Sequence, residues 1–210
     1  MKTSRSSACI ALTASAAALV VTLAACGSGS NTSSPASSPV SSTSTPDLVS
    51  TSVPGALSQC PTAAPASVAT PEWTLPGTTG SVAVTGSTDT AAPVVTVTAP
   101  FSVTETQVHT LKAGDGPVVA PTATVSVCYM GVNGRDGNVF DSAYERGTPA
   151  DFPLTGVVPG FQKAIAGQKV GSTVAVAMDP ADGYPEGQPA AGIQKGDSLV
   201  FAIKILSASA

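Results

Sequence analysis

The sequence predicts an α+β domain, in which an antiparallel sheet carries one short helix. Several segments alternate apolar and polar residues with a period of two, as half-buried strands do. Only one short segment has both the apolar spacing and the end signals of a helix. The 18 prolines among 210 residues also argue against a helical bundle, because proline interrupts helix hydrogen bonding.

The chain begins with a pattern typical of an exported lipoprotein. Lys2 and Arg5 precede an apolar run over 8–25, which ends in Leu-Ala-Ala and is followed by Cys26. This ending resembles the bacterial lipobox, in which the signal peptide is cut just before a cysteine that receives a diacylglyceryl group. We therefore expect a signal peptide over 1–25, a lipid on Cys26 and attachment to the outer face of the cytoplasmic membrane. An ordinary secretory signal or an uncleaved helix is the alternative.

A tether follows the lipidation site. Between Ser28 and Pro46, 15 of 19 residues are Ser, Thr or Pro, which leaves almost no apolar surface to bury. The sequence predicts that 26–70 is disordered and holds a folded domain away from the membrane. Two valine-rich stretches between Val82 and Glu105 then predict an N-terminal β extension over 71–107, packed on the domain as a strand pair.

Six segments have strand character. They lie at 82–84, 94–98, 108–111, 123–132, 173–178 and 198–206. In the fourth, alternation predicts that Val125, Val127 and Tyr129 share one face and that Ser126 and Cys128 share the other. In the last, it places Leu199, Phe201, Ile203 and Ile205 on one face, opposite Ala202 and Lys204. The sheet is therefore expected to bury apolar side chains on a defined face.

The predicted helix covers Pro159 to Ala166. Proline near its start and Gly167 just past its end are the expected punctuation. Phe161 and Ile165 are four residues apart and would face the sheet together.

Composition excludes several classes of function. A formal net charge of −4 without a Lys/Arg cluster does not suit a nucleic-acid-binding protein. The single histidine, His109, lies on a predicted strand as a surface residue, which leaves no histidine-based triad. No spacing suits a zinc site and no glycine-rich loop precedes a helix, so no metal or cofactor is expected. The aromatic residues instead gather in the C-terminal half, where they either fill a core or line a pocket.

The order of short motifs from about Val108 to Leu206 resembles the FKBP-type peptidyl-prolyl cis–trans isomerases. The motifs include Val-Ser-Val-Cys-Tyr129, Phe140-Asp-Ser, Val-Val-Pro-Gly-Phe161 and Leu-Val-Phe201. The resemblance implies a twisted antiparallel sheet wrapped around the short helix, as an FKBP-like domain over 108–206. It also implies an isomerase that assists the folding of exported proteins, with proline-containing polypeptides as substrates.

The resemblance also implies a site. The residues that would line its pocket are Tyr129, Phe140, Val157, Val158, Phe161, Ile193 and Phe201. Phe161 would form the floor, Asp141 would lie at the rim held by Arg146, and the Tyr184 hydroxyl would donate to a substrate carbonyl. A main-chain N–H of the Val157–Val158 segment would bind a second carbonyl.

Three positions depart from the family pattern. Ala150 replaces a common aromatic residue, Gln188 stands where histidine is frequent, and Gly192 replaces an apolar residue. They predict a pocket that is wider or shallower on one side, with weak binding of rapamycin-type macrolides. The alternative function is a catalytically weak FKBP-like binding module or chaperone for envelope proteins.

Cysteine usage predicts one disulfide. Cys9 lies within the signal peptide, and Cys26 is the lipidation site. Cys60 and Cys128 are left, and they are expected to pair in an oxidising, exported setting.

Overall fold

The computed structural model describes residues 59–67 and 69–209. The predicted signal peptide over 1–25 and its neighbour Cys26 lie outside the described residues. So does most of the tether predicted over 26–70.

Within the described ranges, the backbone forms two antiparallel sheets. The strands are β1 (Trp73–Pro76), β2 (Thr79–Thr85), β3 (Val94–Ser102), β4 (Gln107–Lys112), β5 (Thr124–Asn133), β6 (Val139–Ser142), β7 (Ala150–Pro153), β8 (Thr173–Met178) and β9 (Leu199–Ser209). The helices are α1 (Ala143–Arg146) and α2 (Pro159–Ile165), with 3₁₀ turns at Leu154–Gly156, Pro180–Asp182 and Pro189–Ala191. The predicted α+β class is confirmed, and so are the six predicted strands and the main helix.

The larger sheet has the order β4-β8-β9-β5-β6. The outer edge of β5 is shared, because its first half pairs with β7 and its second half pairs with β6. Helix α1 lies between those two strands in the chain, and α2 packs on the sheet through Phe161, Ala164 and Ile165. This arrangement brings the end of β6, α1 and α2 to the same side of β5.

Strands β8 and β9 are buried on both faces, whereas alternation predicts half-buried strands. The predicted division of side chains between the two faces of β9 is nevertheless present. Leu199, Phe201, Ile203 and Ile205 of β9 pack into the main core with α2, whereas Ala202 belongs to a second core. That second core lies between the two sheets and joins Ala175, Ala177, Val200 and Ala202 to Val82, Val84, Phe101 and Val103. Burial of this apolar surface attaches the N-terminal β extension to the domain.

The extension contains three strands rather than the predicted pair. The additional strand, β1, pairs with β2 along four residues. Its Trp73 ring stacks on the ring of His109 at 5.7 Å, with 3° between the planes. His109 is exposed there, as expected of a surface residue.

Strand β5 is buried on both faces. Its pairing with β9 shifts between Ser126 and Val127, where Leu206 of β9 is the additional residue of a β-bulge. Val127 and Tyr129 lie opposite Ile205 and Ile203, whereas Cys128 lies opposite Lys204, so the predicted division of faces holds. The second face is not polar, however, because Cys128 is also buried.

The predicted disorder does not hold for 59–67. The Cys60 N–H donates to the Gly147 carbonyl at 3.1 Å, and the Ala92 N–H donates to the Ala63 carbonyl at 2.9 Å. Cys60 is also joined to Cys128 by a disulfide, with the two Cα atoms 5.6 Å apart. This segment is therefore part of the folded domain.

Candidate active site

A cavity of about 370 Å³ opens where β5, β6, β9 and α2 converge. The residues that line it are Tyr129, Phe140, Asp141, Phe152, Gly156, Val157, Val158, Phe161, Tyr184 and Phe201. Most of these side chains are aromatic or aliphatic, and the polar groups are few. Such a lining is typical of a site that binds an organic ligand or a peptide segment.

Phe161 lies where three aromatic rings meet. Helix α2 begins at Pro159 and turns the Phe161 ring toward the sheet, where the side chain is 5 % exposed. Its ring centroid lies 5.9 Å from that of Tyr129 and 5.5 Å from that of Phe201, both edge to face. The Phe152 ring is 5.9 Å away. Each edge-to-face pair is worth about 0.5–1.5 kcal/mol beyond its buried area, so the cluster holds the Phe161 ring in place.

A wall of the cavity depends on a glycine in β5. The rings of Phe140 and Phe201 meet at a right angle, with centroids 5.5 Å apart. A Cβ atom at Gly131 would lie 2.6 Å from Phe140 and 2.8 Å from Phe201, closer than packed atoms approach. Gly131 therefore allows both rings to lie against the strand.

Polar groups are grouped at one side of the cavity. The Tyr129 hydroxyl donates to Asp141, and the Arg146 guanidinium donates both to Asp141 and, at 3.1 Å, to the Tyr129 oxygen. The Arg146 guanidinium carbon also lies 5.7 Å from the centroid of the Tyr129 ring. The expected contact between Asp141 and Arg146 is thus present, and Tyr129 joins it through its hydroxyl.

Helix α1 positions Arg146. The Ser142 hydroxyl accepts from the Glu145 N–H at 3.2 Å and caps the helix start, and Gly147 ends the helix in the left-handed conformation. Burial raises the pKa of Tyr129 to about 12, and the hydrogen bond to Asp141 acts in the same direction. The hydrogen bond to Asp141 likewise raises the pKa of Arg146. The phenol is therefore neutral and the guanidinium charged at ordinary pH.

Other donors at the cavity have no hydrogen-bond partner among the described residues. Tyr184 is half-buried, and none of the described residues hydrogen-bonds to its hydroxyl. The N–H groups of Val157 and Val158 also donate to no other residue in the described part of the chain. These groups can therefore donate to carbonyls of a bound chain.

Ile193 lies behind the cavity surface. It is 1 % exposed and packs in the same core as Tyr129, Phe161 and Phe201. Its backbone pairs with Gln188, with N–H···O distances of 2.8 and 3.1 Å, which fixes the residue in a tight turn. Ala150, Gln188 and Gly192 also lie outside the cavity lining.

Two lining residues were absent from the predicted set. The Phe152 ring contacts both Tyr129 and Phe161 at the cavity. Phe152 is half-buried. Along β7, half-buried and exposed residues alternate, but a strand of four residues is too short for this period to be recognised in the sequence. Gly156 has no side-chain signal and could not have been found from its type.

Comparison with known proteins identifies the family. Residues 116–206 match the sequence model described as FKBP-type peptidyl-prolyl cis-trans isomerase. Over 96 residues, the chain is 38% identical to a "Probable FK506-binding protein" of Corynebacterium glutamicum, covering 45% of this chain and 80% of that one. The chain belongs to the FKBP-type peptidyl-prolyl cis–trans isomerase family.

Two proteins of Escherichia coli also match about half of the chain. The "FKBP-type 22 kDa peptidyl-prolyl cis-trans isomerase" of Escherichia coli is 37% identical over 100 residues, which is 48% of each chain. The crystal structure of FkpA from Escherichia coli is 31% identical and has a TM-score of 0.45, covering 50% of this chain and 48% of that one. The chain thus spans most of the corynebacterial relative but about half of these two Escherichia coli proteins.

Neither metal ligands nor a membrane-spanning helix accompany the FKBP-type site in the described ranges. No group of three or more His, Cys, Asp or Glu side chains there could hold a metal ion. Among the helices of 59–67 and 69–209, none has the length and apolar character needed to cross a membrane.

Proposed function

We propose that this FKBP-type isomerase accelerates rotation about X–Pro bonds in exported polypeptides by binding the amide in a dry, aromatic pocket. The observation that carries the proposal is the cluster of rings around Phe161, which presents apolar surface to whatever occupies the cavity. The family supports the reaction, and the geometry of the pocket supports the mechanism.

The reaction needs no acid, base or nucleophile. Rotation about a peptide bond has a barrier of about 18–20 kcal/mol, because the planar amide loses conjugation as it twists. A planar amide is more dipolar than a twisted one, so removal of water destabilises the ground state more than the transition state. A reduction of about 5 kcal/mol in the barrier would accelerate rotation a few thousand-fold.

Polar groups at the cavity would orient the substrate chain. Tyr184 would donate its hydroxyl to one substrate carbonyl, and an N–H of Val157 or Val158 would donate to a second. Asp141 would face the substrate from the other side, held in place by Arg146 and Tyr129. Hydrogen bonds on both sides of the proline would fix the substrate chain, so that the X–Pro bond lies within the pocket.

Replacement of Tyr184 by phenylalanine should reduce kcat/KM modestly. The change removes one hydrogen bond and leaves the ring in place, which corresponds to a loss of about two- to tenfold. A protease-coupled assay with prolyl peptides measures it. Unchanged kcat/KM would contradict the proposed contact, and complete loss would contradict an apolar mechanism.

Activity should be nearly independent of pH between 6 and 8. No histidine is among the residues that line the cavity, so no imidazole gains or loses a proton there in this range. The raised pKa of Tyr129 means that its proton is lost only as the pH rises toward 12, when a phenolate would face the Asp141 carboxylate. A pH profile of kcat/KM is the measurement, and a steep slope near neutrality would contradict the mechanism.

We also propose that the mature protein is anchored to the cell envelope through a lipid on Cys26. The lipobox-like ending before Cys26 supports this proposal. Two or more acyl chains on one residue would hold a soluble domain stably on a bilayer. Replacement of Cys26 by alanine should release the protein from membranes or block its maturation, as fractionation would measure. Unchanged membrane partitioning of the Cys26→Ala variant would refute the anchor.

A further inference from the structure

We propose that Arg135 is a positioning residue for Tyr184, acting as a brace between two sides of the catalytic pocket. Arg135 lies in the turn from β5 to β6, which leads to Phe140 and Asp141. It is joined to residues 184–197, here called the lobe, which carry Tyr184 at their start. The inference rests on the proposed function, because it concerns the same reaction.

The first contact of Arg135 with the lobe is made to Asp197. Its side chain is 7 % exposed and accepts from the Asn133 amide at 2.7 Å, the Gln194 N–H at 2.8 Å and the Arg135 Nε at 3.2 Å. Burial alone would raise the pKa of Asp197, but these donors and the Arg135 charge outweigh it and lower that pKa. A buried carboxylate with three donors fixes the base of the lobe to the end of β5.

The second contact of Arg135 with the lobe is made to Gly192. The Arg135 Nη2 donates to the Gly192 carbonyl at 3.1 Å, while Nη1 lies 3.0 Å from Asp136 in its own turn. Gly192 has a φ of 70°, a left-handed conformation that directs its carbonyl at the end of the 3₁₀ turn. The planar guanidinium thus contacts both sides at once, which a single ammonium could not do.

Hydrogen bonds inside the lobe connect Gly192 to Tyr184. Gly192 precedes Ile193, which exchanges two backbone hydrogen bonds with Gln188. Next to Gln188, the Gly187 N–H donates to the Tyr184 carbonyl at 2.8 Å. A shift of the Gly192 carbonyl would therefore move the segment that holds Tyr184 at the cavity.

The lobe also offers a matched control. Lys195 and Glu186 form an ion pair of 2.9 Å in the same lobe, but their side chains are 71 % and 80 % exposed. Exposed pairs of this kind contribute little, because solvent screens them. Lys195→Met removes a positive charge from the lobe without touching the brace.

The test compares Arg135→Met with Lys195→Met in the full chain, after thermal melts show that both variants are folded. We expect kcat/KM for prolyl peptides to fall about three- to tenfold in Arg135→Met and to stay unchanged in Lys195→Met. Arg135→Lys should recover only part of the loss. In the double variant Arg135→Met/Tyr184→Phe, the loss should be smaller than the product of the two single losses, because both act through one hydroxyl. Unchanged kcat/KM in Arg135→Met, or multiplicative losses in the double variant, would overturn the proposal.

Amide hydrogen exchange gives a readout that needs no catalysis. The Ile193 N–H, which donates to Gln188, should exchange faster in Arg135→Met than in the wild type, and at the wild-type rate in Lys195→Met. Equal protection in Arg135→Met would refute the brace even if the isomerase is active. The two proposals can also fail separately. If the Ile193 N–H exchanges faster in Arg135→Met but the wild type does not isomerise prolyl peptides, the proposed function is refuted and the brace is retained.

Discussion

Replacement of Phe161 by alanine should reduce kcat/KM for prolyl peptides by at least about tenfold, the equivalent of 1.4 kcal/mol in the barrier. The substitution removes the ring that contacts Tyr129, Phe152 and Phe201, and water would enter the space that it leaves. Because the ring is 5 % exposed, its loss should also lower the free energy of unfolding by about 3–5 kcal/mol. Denaturant titration measures the stability, and the peptide assay measures activity under conditions in which the variant is folded.

A second substitution separates the loss of the pocket from the loss of the fold. Phe161→Leu keeps an apolar side chain against the sheet but not an aromatic ring, so it should retain more stability than alanine and an intermediate activity. If Phe161→Ala were folded and fully active, an enclosed aromatic floor would have no part in catalysis.

Removal of the Cys60–Cys128 disulfide should cost about 2–4 kcal/mol of stability. The bond closes a loop with a sequence separation of 68, and both residues are buried, at 3 % and 0 % exposure. The segment at Cys60 also donates to the Gly147 carbonyl, next to the helix that carries Arg146. The double variant Cys60→Ala/Cys128→Ala should therefore unfold at lower urea concentration and lose some order at the rim of the pocket.

The control is the wild type unfolded with and without reductant. Reduction should lower its urea midpoint toward that of the double variant and leave the double variant unchanged. Free thiols at Cys60 and Cys128 in the wild-type protein, detected by mass spectrometry of non-reduced peptides, would contradict the assignment.

Sequence patterns predict elements of this fold where local signals are strong. Alternation predicts the bounds of β8, and proline and glycine predict those of α2 to within one residue. The last strand is also predicted, but β9 extends three residues beyond the expected end at 206. The short strands β1, β6 and β7 were missed, because four residues are too few for a clear period. Their pairing depends on partners that lie far away in the sequence.

The site follows a similar division. Family resemblance leads to the aromatic lining, including Phe161 and Tyr184, and the structure brings those side chains together. Ile193, which the resemblance also places at the pocket, is buried in the core that the aromatic rings share. The contact between Arg135 and Asp197 joins residues 62 positions apart, and no local pattern indicates such a pair.

The central claim is that the aromatic pocket accelerates X–Pro rotation and does not merely hold a peptide. Exchange spectroscopy by NMR tests it most directly, with an X–Pro peptide and a catalytic amount of the protein. We expect exchange peaks between the cis and trans resonances, growing with protein concentration and greatly weakened in Phe161→Ala. The claim would be contradicted if the peptide shifted the pocket resonances but its cis and trans isomers still exchanged only over about tens of seconds or longer, as they do without a catalyst. That result would favour a binding module.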